Sequence, residues 1–281
     1  MAENSIAQLS QILESLGRAM TTVETQLFER LKQGESKVAL NHEVEDLNSR
    51  IRALASRAHE IQFKFDWETP PQPEWFDHYL DQYYGWHSSR IPFWLERGIF
   101  NLLALKEQSV ALELCCGDGF NAYHFYSIRC KQITATDFDP EVLSHAIKFN
   151  QAPNVGYELC DVRSNFPHGS YDNIIWDAAI EHFTPAEIDA LLRNIKSSLK
   201  PGGILSGYTI CEQPSGEKSL SHHEYEFKSK EDLARFFTSH FANVKVFETK
   251  YPTRHNLYFY CSDANVPFDQ TWDSVVQDKH R

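Results

Sequence analysis

A chain of 281 residues with 42% hydrophobic content can hold one sizeable α/β domain plus an appendage, and is too apolar for a disordered polymer. Its formal net charge of −12 argues against a nucleic-acid partner, whose phosphates need a basic surface. No cationic start runs into an apolar block and nowhere do eighteen apolar residues run together, so neither a targeting segment nor a membrane span is expected.

The six cysteines, at 115, 116, 130, 160, 211 and 261, show neither zinc-type pairing nor the framework of a small secreted domain. They read as reduced thiols of a soluble, cytoplasmic protein.

From the start, Ile6, Leu9, Leu13, Leu16, Met20, Val23 and Leu27 alternate steps of three and four, which lays one apolar stripe along a helix. After an interruption at Lys32-Gln33-Gly34-Glu35-Ser36-Lys37, the series Leu40, Val44, Leu47, Ile51, Leu54, Ala58 and Ile61 repeats the pattern. Residues 1–62 thus read as a helical hairpin closing on itself or as a coiled coil that pairs copies into a homo-oligomer; Gly34 suits the hairpin, and the two are compatible. Residues 63–102 are dense in aromatics, and Pro70, Pro71, Pro73 and Pro92 divide them into short helices. Such rings serve either as core or as a lid that stacks on a ligand, with Tyr83 and Tyr84 the candidates for touching substrate.

From Val110 the pattern becomes regular. Strands are predicted at Val110–Cys115, Gln132–Asp137, Val155–Cys160, Asn173–Asp177, Ile204–Thr209, Val244–Thr249 and Tyr258–Ser262, with helices between them. That alternation implies an α/β fold over residues 103–264, a seven-stranded, mostly parallel, doubly wound sheet, followed by a polar tail at 265–281. Asp139-Pro140 and Thr184-Pro185-Ala186-Glu187 are helix starts, Pro201-Gly202-Gly203 is expected to end a helix after Lys200, and a loop over Tyr251–Asn256 makes the last pair antiparallel.

The sharpest stretch is Val110 to Ala122, a strand broken by Gly117 and Gly119 before a helix start. Glycine lets a ligand approach the backbone, and the helix start offers free N–H groups. The next strand ends in Asp137, twenty residues after Gly117, the offset at which a carboxylate grips a ribose diol.

Four linked motifs then resemble the class I S-adenosylmethionine-dependent methyltransferases, especially those acting on small molecules and glycans, over about Leu103 to Ser262. They are Leu112-Glu113-Leu114-Cys115-Cys116-Gly117-Asp118-Gly119; Ala135-Thr136-Asp137-Phe138-Asp139-Pro140; Cys160-Asp161-Val162; and Tyr171 through Asp177 to Phe183. The resemblance implies a Rossmann-like fold and S-adenosylmethionine as cofactor, leaving S-adenosylhomocysteine. It assigns the ribose to Asp137, with Phe138 beside it, the adenine to Asp161 and Val162, the methionine moiety to the loop of Glu113, Cys115, Gly117 and Gly119, and the pocket floor to Asp177. The usual first glycine of the loop is Cys115 here, so an extended backbone is expected at that position.

Toward the acceptor, the resemblance points to Glu181 and His182, and to an insertion at Cys211–Lys228 that holds Glu217, His222, His223, Glu224 and Tyr225. His182, His222 and His223 are the candidate bases, since imidazole titrates near neutrality, while Glu181, Tyr225 and Arg254 are candidates for substrate. No metal is expected, because adjacent histidines point apart in an extended chain and no third ligand stands at a fixed spacing. The expected reaction is methyl transfer to a hydroxyl of a small polyhydroxylated metabolite, sugar or glycan. N-methylation of a small amine and a degenerate assembly protein are the alternatives.

Overall fold

The computed structural model describes residues 2–69, 75–213, 215–216 and 218–267, with side chains from residue 7 onward. Pro70, Pro71, Pro73, Glu217 and the tail from residue 268 lie outside the described residues. The chain parts into two compact units, Met1–Ile61 and Gln62–Arg281.

The two periodic stretches form α1 (Ala2–Lys32) and α2 (Lys37–Asp66). Between them Gly34 takes the left-handed conformation (φ 88°) that a helix end favours, and Arg30 fastens the turn by donating to Glu35 at 2.7 Å and to Glu43 at 2.8 Å. The apolar stripe is not consumed within the unit: Leu9, Leu13 and Leu54 are 58, 65 and 62% exposed.

The second unit is built on a seven-stranded sheet of β1 (Val110–Leu114), β2 (Gln132–Asp137), β3 (Val155–Leu159), β4 (Tyr171–Asp177), β5 (Leu199–Ile210), β6 (Asn243–Tyr251) and β7 (Arg254–Ser262). The spatial order is β3-β2-β1-β4-β5-β7-β6; pairs from β3 to β5 are parallel, and β7 runs antiparallel between β5 and β6. Alternation along each strand feeds two cores. Leu112, Leu114, Ile174 and Trp176 pack on one face, and Ala111, Ile133, Ala135 and Ile175 on the other. Helices α3 (His78–Ser89), α4 (Phe93–Ala104), α5 (Phe120–His124), α6 (Pro140–Phe149), α7 (Pro185–Ser198) and α8 (Lys230–Thr238) accompany the sheet.

Both predicted caps form. Asp139 accepts from Glu141 N at 2.8 Å, and Thr184 with Glu187 makes a reciprocal capping box. Two turns differ from expectation. Helix α7 ends at Ser198, and Pro201-Gly202-Gly203 lies within the long strand β5, because Leu199 already pairs with Tyr171 of β4 and the register then shifts before Asn173. The last hairpin is tighter than expected, with Tyr251 paired to Arg254, so Arg254 stands in β7 and not in a loop.

Strand order reverses between β1 and β4. Loops leaving their carboxyl ends therefore diverge and open a crevice, the place where open α/β sheets bind ligands.

Candidate active site

A cavity of about 770 Å³ fills that crevice. It is lined by the ends of β1 to β4, by α3 and α4, by the insertion after β5 and by Arg254. Of the residues expected to hold the cofactor, Glu113, Cys115, Gly117, Asp137, Phe138, Asp161, Val162 and Asp177 all line it. Gly119 has a packing role instead: it caps α5 at φ 73°, and a Cβ there would meet the Tyr157 hydroxyl at 2.3 Å.

The loop after β1 corrects one expectation. Cys115 is not extended but left-handed, at φ 55°, followed by Gly117 at φ 54°. The cause is the turn itself, because Cys116 N donates to Thr136 O at 2.8 Å and draws the chain back over β2, whatever residue sits at 115. A non-glycine residue held there costs about 1–2 kcal/mol. At Gly117 a Cβ would meet nothing within 4 Å, so the backbone is open to a ligand.

Asp137 accepts from Gly117 N at 2.9 Å and Asp139 N at 3.1 Å, which fixes its carboxylate at the cavity edge with lone pairs to spare for a diol. Burial raises its pKa, and the N–H groups of Asp139, Gly117 and Phe138 pull it back. Glu113 is 2% exposed, and its Oε2 is buried without a hydrogen-bond partner. Burial, with the Asp177 charge next, pushes its carboxyl well above the ordinary range. A buried, orphaned carboxylate oxygen in the cavity wall fits the cationic amino group of a methionine moiety. At the rim, Asp161 is bound by Arg163 at 2.9 and 3.0 Å, and beside it Val162 is buried.

Asp177, the floor, is the centre of a network that the sequence does not announce. Its Oδ2 accepts from Arg97 Nε at 3.0 Å, Arg97 Nη2 at 2.5 Å and Asn121 Nδ2 at 3.0 Å, and its Oδ1 accepts from Asn101 Nδ2 at 2.8 Å. The Arg97 guanidinium also lies 4.6 Å from the Trp94 ring and 4.9 Å from that of Tyr208. His78 of α3 joins the glycine loop through Asp118 at 2.8 Å, packed 4.0 Å from Trp94 and 4.3 Å from Phe120. One signal was available in the sequence: Glu96-Arg97 and Asn101 interrupt an otherwise largely apolar helix, and all three prove buried. Glu96 binds Thr249 and Tyr251 of β6 and, on β7, Tyr258 at 2.5 Å and Asn256 at 3.2 Å.

On the opposite wall, Glu181 O accepts from Glu224 N at 2.8 Å and Tyr225 N at 3.0 Å, which brings the insertion back beside β4. His182, His222 and His223 consequently meet: the His182 ring lies 5.0 Å from that of His222 and 4.8 Å from that of His223. Burial, with His223 next, lowers the pKa of His182 to about 4, and burial lowers His222 as well. His182 is thus a far weaker base than a free imidazole. Glu181 lines the cavity, 4% exposed, accepting from Thr209 Oγ1 at 3.0 Å. Burial raises its pKa.

Arg254 also lines the cavity, its guanidinium 3.7 Å from the Phe93 ring and 2.7 Å from the Tyr208 hydroxyl. The structure does not place Tyr83, Tyr84 or Tyr225 there. On α3 it is His78 and Asp81 that line the cavity; at 100° per residue Tyr83 falls on another face, against His87, and Tyr84, one turn beyond Asp81, is outside the lining. Tyr225 is drawn to α8, where Asp232 and Arg235 bind its hydroxyl.

Residues 111–203 match a family described as a methyltransferase domain. An uncharacterised methyltransferase of Synechocystis is 30% identical over 105 residues, covering 37% of this chain and 48% of its own. The chain thus spans about half the length of that curated relative. Among solved structures, the DhpI–SAH complex is similar with a TM-score of 0.52 at 19% identity, over 76% of this chain and 93% of that one. The N-methyltransferase NodS from Bradyrhizobium japonicum gives a TM-score of 0.51 at 16% identity, over 62 and 98%. Fold, loop and matched segment define a methyltransferase domain on a Rossmann-like sheet. The family match covers residues 111–203, and these solved structures share the fold of the chain.

Proposed function

We propose that the chain transfers the methyl group of S-adenosylmethionine to a hydroxyl of a small polyhydroxylated metabolite, sugar or glycan. The observation that carries this reading is the pairing of two walls in one cavity: the donor wall of Glu113, Asp137 and Asp161 faces the same space as the imidazoles of His182, His222 and His223. When bound, the donor supplies an activated sulfonium methyl, so the protein's work is alignment and, for a hydroxyl, removal of a proton. In this reading Asp137 holds the ribose, Glu113 the amino group, and Asp161 with Val162 the adenine. Arg254 and Glu181 position the acceptor. A small amine acceptor is the second reading, favoured by the buried Glu181 carboxylate in the cavity wall, which suits a cation.

The test is a panel of hydroxyl and amine acceptors with labelled methyl donor, followed by locating the methyl in the product. Label on nitrogen alone would replace the first reading by the second, and failure to bind S-adenosylmethionine would leave an assembly protein. We further propose a cytoplasmic home, supported by six free thiols, and pairing of copies through the exposed stripe of α1 and α2. Among the described residues no helix is long and apolar enough to cross a membrane. An unchanged solution mass on replacing Leu9 and Leu13 by glutamate would reject the pairing.

A further inference from the structure

We propose that His182, His222 and His223 form a three-imidazole site for one divalent transition-metal ion of the zinc class, with its open position toward the cavity. One ligand nitrogen from each residue lies within 4.8 Å of the others. Zinc–nitrogen bonds of about 2.0–2.1 Å in a tetrahedron need nitrogens about 3.3 Å apart, so closure takes small side-chain rotations. His222 is exposed and His182 half-buried, which leaves both able to make them, while buried His223 is the fixed point.

A second observation points the same way. His223 Nδ1 is bound to Glu226 Oε1 at 2.5 Å, and that oxygen also accepts from Ser219 N at 2.7 Å. With Nδ1 engaged by a carboxylate, Nε2 is the nitrogen left for a ligand. A carboxylate behind an imidazole is the arrangement that fixes the tautomer of a metal-binding histidine and raises its basicity. Three imidazoles and an open position suit zinc in a catalytic setting.

The role of the ion rests on the hydroxyl reading above; its binding does not. An acceptor oxygen in the open position is acidified by the ion and gives its proton to solvent water. Its lone pair then forms the O–CH₃ bond while the S–CH₃ bond breaks with its electron pair going to sulfur. That removes the demand for a strong protein base, which His182 does not meet.

The chelator-treated 281-residue chain is titrated with Zn²⁺ against a chromophoric indicator, and with Co²⁺ while the visible spectrum is recorded. One equivalent of Zn²⁺ and the intense visible bands of a four-coordinate Co²⁺ are expected. His182→Ala, His222→Ala and His223→Ala should each weaken Zn²⁺ binding by roughly 100-fold, and Glu226→Gln by about 10–100-fold. His42→Ala, on the exposed face of α2, should leave it unchanged. S-adenosylmethionine titration of the same variants reports whether the domain is still folded. Absence of stoichiometric Zn²⁺ binding, or wild-type affinity in the His222 and His223 variants, would overturn the site. Stoichiometric Zn²⁺ binding without transfer to any hydroxyl supports the site and removes the hydroxyl reading instead.

Discussion

On the donor side of the cavity, Glu113, Asp137 and Asp161 stand in or just beyond β1, β2 and β3, neighbouring parallel strands locked in register from Val110↔Gln132 to Asp137↔Leu159. On the acceptor side, His182 and the His222–His223 pair come from segments forty residues apart and meet through two N–H groups bound to Glu181 O. The donor wall inherits the rigidity of the sheet. The acceptor wall hangs on an insertion whose His222 is exposed to solvent. Methyltransferases sharing one donor fold can therefore differ in acceptor, since a loop can be rebuilt without disturbing strand register.

The largest expected effect tests the rigid side. Arg97→Ala leaves Asp177 buried without its cation and should destabilise the domain by about 3–5 kcal/mol in urea unfolding. In chelator-treated protein His222→Ala, on the exposed side, should stay within about 0.5 kcal/mol of the parent. Equal losses would erase the contrast between the walls.

Next in size, Asp137→Ala should weaken S-adenosylmethionine binding by about 10–100-fold, the loss of one charged contact of about 1.5–3 kcal/mol. Calorimetric titration that finds unchanged affinity would remove Asp137 from the ribose site.

A smaller effect should appear in the pH dependence of stability. His182 is lowered from 6.5 to about 4 in the fold, so between those values the unfolded chain takes up a proton that the folded chain refuses. Stability therefore falls as pH drops from 6.5 to about 4 and levels off below. In chelator-treated protein, His182→Gln should flatten that stretch of the melting-temperature profile. A profile identical to the parent's would show that His182 is not desolvated as described, or that His222, lowered by burial as well, sets the slope.

The smallest effect is a gain. Cys115→Gly removes the left-handed strain at φ 55°. Glycine's extra chain entropy offsets part of this, leaving about 0.5–1 kcal/mol of stabilisation. A loss on denaturant unfolding would mean that the thiol's packing outweighs the backbone strain.

Much of this was legible in the residues. Short apolar runs alternating with helix signals placed all seven predicted strands, and Asp139 and Thr184 marked helix starts because caps act within four residues. The placement of the proposed donor wall followed from strand–loop–helix order, since Glu113, Gly117, Asp137 and Asp161 each sit at or beside a strand's carboxyl end and line one cavity. Local pattern misjudged Cys115, whose left-handed backbone is imposed by the pull of Thr136 O on the next residue. It misjudged Pro201-Gly202-Gly203 for a similar reason, as pairing of Leu199 with Tyr171 overrode the turn signal.

What the sequence determined by itself, then, was the fold and the grouping of the proposed donor residues at one crevice, because periodicity, caps and glycine loops act over a few residues and parallel strand order converts them into a crevice. Tertiary structure alone decided the burial of Asp177 under Arg97, Asn101 and Asn121, the removal of Tyr83, Tyr84 and Tyr225 from the cavity, and the meeting of three histidines. Each of these depends on groups brought together across tens of residues, and on the desolvation that such packing produces, which no local spacing encodes.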